Sequence, residues 1–368
     1  MYWYLLVTIV LFSLFFMYKK RSASVNLSFN SKHFIINMQG IVFAAVVLWM
    51  YLLLALKSID VGVDTATYKY MYSEAKNYFV YGINWDLLSQ PLYYLSFGIP
   101  ELMGVPFKTT QAVIYLFCVL ALYRFINAYS DNKLLPCFFF VAGELLWFYM
   151  SGLRQTISIS IGLLAIQTAI SRKPFVSIGF TIIAIMFHKS AVILFVVLIF
   201  QYWLPTVKQL FICWAAGCFL VLVVPQSFLE WGANLLGFSV YSEFFGISTN
   251  PFLILTYFSV GAFIFFVAFS EKNITRERLS LLAMATVGVL LIILSSRFYL
   301  LSRLFYYFQI VIYVVLSNSI CKLKAKHNFI LGLIVIACFM FYFAFATQAN
   351  KLQTVPYEFF WEAGEKWL

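Results

Sequence analysis

Twelve apolar runs, parted by short charged, proline or glycine breaks, leave this chain little to fold into except a bundle of membrane helices. The runs are 1–18, 34–56, 109–128, 134–150, 153–170, 174–188, 190–204, 208–225, 251–270, 279–296, 303–320 and 328–347. Backbone groups in lipid must satisfy one another, which favours helices over open sheets. Of 368 residues, 63% are hydrophobic and 11% charged, more apolar surface than a soluble domain of this size can hide. The expected class is an all-α polytopic membrane protein, one integral domain over 1–368 with about 12 transmembrane helices. The stretch 87–103 carries Pro91, Pro100 and Glu101 and is expected to form an interfacial or re-entrant helix. Met1–Tyr18 precedes Lys19-Lys20-Arg21, the reverse of a cleavable signal, and reads as a retained first span.

Charge assigns the sides. Segments 19–32, 124–133, 172–173, 208, 272–278 and 322–326 hold 15 of the 25 Lys and Arg, and their side of the chain carries only three acids, Asp131, Glu277 and the adjoining Glu271. By the positive-inside rule they face the cytoplasm. Both termini and the long loops, 57–108 and 226–250, then face outward. The net charge of +11 is thus a topology signal, scattered between spans rather than gathered into a nucleic-acid face. Six cysteines show no metal-type or disulfide spacing.

Within this frame Arg154 and His188 stand out. Arg154 lies 18 residues before Arg172 and His188 lies 16 after it. In a helical hairpin that difference is only ~3 Å of rise, so both face one boundary. Two adjoining runs, 174–188 and 190–204, are short for a span, which implies a water-filled cavity reaching into the outer leaflet. An arginine near hydrocarbon costs ~2.5–3.5 kcal/mol and so usually faces a cavity or a partner. Arg297 and Arg303, at another outward turn, and Lys189 would complete a positive patch suited to an anionic lipid head. The bland alternative is snorkelling, or pairing with Glu144, Asp64 or headgroups.

His188 has the chemistry of a general base near neutral pH, although a histidine bonded within the bundle is common. Asp64 and Tyr68, in Asp60-Val61-Gly62-Val63-Asp64-Thr65-Ala66-Thr67-Tyr68, suit sugar hydroxyls or simply cap a helix near Thr65. Glu144, inside an apolar run, is either a partner to a cation or a functional carboxylate. Tyr299, Tyr306 and Tyr307 beside Arg303 offer a sugar platform, with membrane-belt packing as the alternative. No P-loop, G-x-S-x-G or D-x-D signature occurs, so an outward site is expected to take a lipid-linked donor rather than a cytoplasmic nucleotide sugar.

Four elements together resemble the EpsG-type branch of Wzy-like bacterial polysaccharide polymerases. They are Gly62-Val63-Asp64-Thr65 with Tyr68; Gly152-Leu153-Arg154-Gln155; Phe187-His188-Lys189-Ser190-Ala191; and Ser302-Arg303-Leu304-Phe305-Tyr306-Tyr307-Phe308. Their order and spacing cover roughly 1–320. The resemblance implies a GT-C-like membrane glycosyltransferase in the bacterial cytoplasmic membrane, its site facing the exterior. It would join undecaprenyl-diphosphate-linked oligosaccharide units into O-antigen or exopolysaccharide. On that implication Arg154, Arg303 and Arg297 hold the donor diphosphate and His188 serves the acceptor hydroxyl. Gln155, Lys189, Asp64, Tyr68, Tyr299, Tyr306 and Glu144 join the substrate-binding set. No cofactor or metal is required, since arginines supply the countercharge. Membrane lipids, a chain-length regulator and a flippase are candidate partners, and nucleic acid is not. The rivals are an O-antigen ligase and a non-enzymatic transporter of lipid-linked glycan.

Overall fold

The structure, a computed structural model, describes residues 2–19, 24–29, 32–75, 77, 90–228, 231, 251–323 and 325–364. Most of the expected loop 226–250, part of 57–108, and Lys20, Arg21 and Lys324 of the basic segments lie outside the described residues.

Apolar composition makes almost every element a helix. In chain order these are α1 (Tyr2–Lys19), α2 (Met38–Ala55), α3 (Thr65–Ser73), α4 (Pro91–Leu102) and α5 (Phe107–Tyr129). The bent pair α6 (Leu134–Ala142) and α7 (Leu145–Ser151) follows, then α8 (Leu153–Ile170) and α9 (Pro174–Phe187). A 3-10 turn (Lys189–Leu194) leads into α10 (Phe195–Tyr202) and α11 (Val207–Val223). The series closes with α12 (Pro251–Ser270), α13 (Arg276–Leu294), α14 (Leu301–Lys322) and α15 (Ala325–Ala349).

Among the described residues, seven helices are long and apolar enough to cross a membrane, and the bent α6–α7 pair would make eight. The remaining runs form α1, with 18 residues, and the shorter apolar segments of α9, α10 and α11. Two expectations need correction. An antiparallel hairpin, β1 (Ser24–Phe29) with β2 (Lys32–Asn37), lies between α1 and α2 in an otherwise helical bundle. The run 34–56 therefore starts as strand, where β-branched Ile35 and Ile36 pair with Asn26 and Val25.

The run 134–150 is likewise not one rod: it bends by 61° between α6 and α7. Gly143 sits so close to α14 that an added Cβ would lie 2.0 Å from the Tyr313 hydroxyl. Gln309 of α14 donates to the Gly143 carbonyl, and Glu144 turns left-handed at φ 64°. Neighbouring side chains thus take over the helix bonds lost at the break.

The core is built on α8 and α14, most of whose residues are buried, while α15 is peripheral. Two ends of the bundle are distinct. At one, Arg278 pairs with Asp131 at 2.9 Å, Lys322 pairs with Glu271, and Arg276 donates to the Gln201 carbonyl. These belong to the segments grouped above by charge. At the other end, Lys108 at the start of α5 donates to the Lys57 carbonyl just after α2, at 2.6 Å. The segment between them therefore leaves from and returns to the same end. α4, with 12 residues, is only ~18 Å long, too short to cross.

Candidate functional site

At that second end a cavity of about 300 Å³ opens between the starts of α8 and α14, the end of α9, α3 and the α7–α8 break. Arg154, Gln155, His188, Arg303, Asp64, Tyr68, Tyr299 and Tyr306 all line it. Residues from four separate stretches of chain are thus brought together.

Helix starts place the cations. Gly152 breaks the chain between α7 and α8, which puts Arg154 in the first turn of α8. No side chain caps that turn, so its backbone N–H groups and positive dipole end add to the arginine's charge. Arg303 occupies the first turn of α14, but there the early amides of Leu301, Ser302 and Arg303 turn back onto the Phe298, Tyr299 and Leu300 carbonyls. The two starts are tied directly: Gln155 Nε2 donates to the Arg303 carbonyl at 2.6 Å.

The guanidinium of Arg154 lies 5.1 Å from the centre of the Tyr93 ring, and Tyr68 lines the same cavity. Its Nε is buried without a hydrogen-bond partner among the described residues. Arg303 is exposed to the cavity and makes no hydrogen bond or ion pair through its guanidinium to any described residue. A buried donor left open is costly unless something fills it, about 1–3 kcal/mol. The arrangement suits an incoming anion.

His188, the residue that caps the end of α9, lines the same cavity. Its Nδ1 lies 2.6 Å from Ser190 Oγ, and Nε2 makes no hydrogen bond to described residues. Phe148 and Tyr306 stack at 4.0 Å to form a flat apolar face. Asp64, at the start of α3, has its carboxyl held above the ordinary carboxylate range. Crowding by surrounding protein outweighs the opposing pull of Arg303 and Arg154. Burial likewise raises the Tyr68 phenol, against the pull of Arg154.

Several residues that support this cavity escaped the sequence reading. Lys57, fully buried, donates to the Val61 carbonyl and to Thr65 Oγ1, and Thr65 Oγ1 donates to the Val61 carbonyl at 2.7 Å with the Met150 carbonyl 3.2 Å away. Gly62 packs so tightly that a Cβ would meet the Met150 carbonyl oxygen at 2.7 Å, and its φ of +96° excludes most side chains. The C-terminal segment closes the rim: the amides of Gly62 and Val63 donate to the Gln353 and Leu352 carbonyls, and Leu352 lines the cavity. A lysine followed four residues on by Val61 carries no signal of such a role. Only the folded turn reveals it.

Four expected residues lie elsewhere. Arg297 Nε donates to the Val221 carbonyl at 3.0 Å and Arg297 does not line the cavity, because the turn before α14 aims it at α11. Glu144 accepts from the Tyr342 hydroxyl, turned away by its left-handed backbone. Lys189 is exposed beside His188 but outside the lining. Tyr307, expected in a sugar platform, is buried and bonded to Ser158 and Ser190.

A family model described as "EpsG family" matches residues 40–359. No curated protein and no solved structure matches the chain.

Proposed function

The chain belongs to the EpsG family, and from that premise we propose that it polymerises lipid-diphosphate-linked oligosaccharide units into a surface polysaccharide. The observation that carries this is one cavity holding two arginines from distant helix starts, one with a buried unpaired donor, and a histidine with an open ring nitrogen. The arginines match the two phosphates of a lipid diphosphate, and the flat Phe148–Tyr306 face and Tyr299 suit a sugar ring.

A hydroxyl oxygen of the incoming unit attacks the anomeric carbon of the growing chain, and the bond from that carbon to the diphosphate oxygen breaks. The hydroxyl proton passes to His188 Nε2. The negative charge on the departing lipid diphosphate falls to Arg154, Arg303 and the open start of α8. Asp64 and Tyr68 position the sugars. The charge asymmetry of the sequence supports a site on the outer face of the cytoplasmic membrane, with α4 lying along that interface and twelve apolar helices in a GT-C-like bundle.

Purified protein supplied with a lipid-diphosphate oligosaccharide should yield a ladder of products on a gel. A single product without a ladder would remove polymerisation and leave a ligase-like transfer. No turnover of any lipid-linked glycan would leave a transporter.

A further inference from the structure

His188 begins a chain of hydrogen bonds that runs into the core. Nδ1 meets Ser190 Oγ at 2.6 Å, Ser190 Oγ meets the Tyr307 hydroxyl at 3.1 Å, and that hydroxyl meets Ser158 Oγ at 2.9 Å. Ser158 Oγ ends the chain on the Ala184 carbonyl at 2.8 Å. Ser158 is fully buried and Tyr307 nearly so, which makes unmade bonds expensive here.

Each hydroxyl has a single proton, and a carbonyl has none. Ser158 must therefore spend its proton on Ala184. The contact between Ser158 and Tyr307 then needs the tyrosine's proton, which leaves the next contact to be made with the proton of Ser190. That in turn leaves only Nδ1–H to make the bond between His188 and Ser190. The Ser190 amide also lies near Nδ1, at 3.4 Å, and would prefer that nitrogen bare. At that length it yields to the 2.6 Å contact.

We propose that Ser190, Tyr307 and Ser158 are positioning residues that lock neutral His188 with Nδ1 protonated and Nε2 bare on the side of the cavity. The inference rests on the role given to His188 above, since this is the one neutral tautomer in which a cavity-facing Nε2 can take a proton. The carbonyl that ends the chain belongs to α9, the helix that His188 itself terminates, so the ring's orientation and its tautomer are set by one element.

Nitrogen-15 NMR of histidine-labelled protein in nanodiscs reads the tautomer directly. The chain has three histidines, and the spectrum of His188→Gln identifies the signals of His188 by difference. At a pH where the ring is neutral, we expect a protonated Nδ1 and a bare Nε2. Tyr307→Phe and Ser158→Ala free the Ser190 proton to point at Nδ1, so both should move the population toward the other tautomer. Both should also lower kcat by at least ~10-fold, with KM for the lipid-linked donor within about two-fold. Ser190→Thr keeps the hydroxyl and should preserve tautomer and rate, whereas Ser190→Ala should not. A protonated Nε2 in the unmodified protein overturns the proposal, and so does Tyr307→Phe with tautomer and kcat unchanged. If Nδ1 is protonated yet His188→Ala still builds a ladder, the tautomer assignment stands and the catalytic role of His188 falls.

Discussion

Gln155 holds the carbonyl of Arg303 at 2.6 Å, so the two arginines of the cavity are fixed relative to each other by a residue that touches both helix starts. Arg154 precedes Gln155 on α8, and Arg303 owns the accepting carbonyl on α14. One side-chain bond thus sets the spacing of two charges that lie almost 150 residues apart in sequence. Gln155→Leu removes the donor, leaves a carbonyl under-satisfied and loosens that spacing. The expected cost is about 1–3 kcal/mol in the site, or roughly 5- to 100-fold in polymerisation rate. Rates with a lipid-linked donor, beside a thermal-stability measurement, test this; an unchanged rate would separate Gln155 from the site.

The arginines should not be equivalent. Arg154→Ala should abolish laddering and Arg303→Ala should lower the rate by ~10²-fold or more, on the scale of losing a donor to developing negative charge. Arg154→Lys should remain strongly impaired, because an ammonium cannot reproduce the planar fork. Arg297→Ala should stay within a few-fold of the unmodified enzyme, since its Nε serves the Val221 carbonyl. A collapse of activity in Arg297→Ala with normal stability would reinstate it at the site.

Glu144 offers a parallel contrast. Its carboxylate accepts from Tyr342 at the bend between α6 and α7, away from the cavity lining. Glu144→Gln keeps an acceptor there and should preserve most polymerisation, while Asp64→Ala should reduce it. Assaying both variants with one substrate decides which acid the reaction needs.

Asp64 also predicts a pH dependence. Its carboxyl is raised above the ordinary carboxylate range, chiefly by burial. Ionisation therefore opposes the folded state: any stabilisation from the protonated acid is full below the ordinary carboxylate pKa and is lost as pH rises through the raised one. Asp64→Asn should leave stability unchanged in strong acid and raise it slightly near neutrality. If the charged form orients sugars, activity should also fall as pH drops through the raised pKa, and Asp64→Asn should lose that limb. A melting temperature that responds to Asp64→Asn equally at all pH values would contradict the first part.

Gly62→Ala should be costly. The added Cβ would press on the Met150 carbonyl oxygen at 2.7 Å, in a backbone conformation of φ +96° that strains other residues by roughly 1–3 kcal/mol. The turn carrying Asp64 would shift, so activity should fall together with thermal stability. Gly104→Ala supplies the control: it has a positive φ but open space around it. Equal effects of the two variants would mean that backbone strain, and not the approach to Met150, matters at Gly62.

How far the site could be read in advance depended on whether chemistry or geometry identified each residue. Arg154, His188 and Arg303 were conspicuous because charged and imidazole side chains at the ends of apolar runs need a reason to be there. Arg297 has the same signature, and the turn before α14 sends it to a backbone carbonyl instead. Gln155 stands out only through motif resemblance and Tyr68 through the hydroxyl-rich turn it shares with Asp64, while Tyr307, read as part of a sugar platform, is buried and bonded to Ser158 and Ser190. Lys57 and Ser158 give no signal at all, and Ser190 appears only as a member of the His188 motif: a serine in an apolar helix and a lysine at the end of another are ordinary until a partner faces them.

Sequence alone determined that the chain is a multi-pass bundle, because a 63% hydrophobic composition cut into runs of this length has no other way to satisfy backbone hydrogen bonds in lipid. It also determined which residues cluster at each end, through the order of the runs and the bias of their charges. Only the tertiary structure decided which cations share the cavity, which proton occupies His188, and that α6 and α7 bend where one rod was expected. Those outcomes depend on side-chain direction and on contacts between helices far apart in sequence, and hydrophobic periodicity within a single run carries neither.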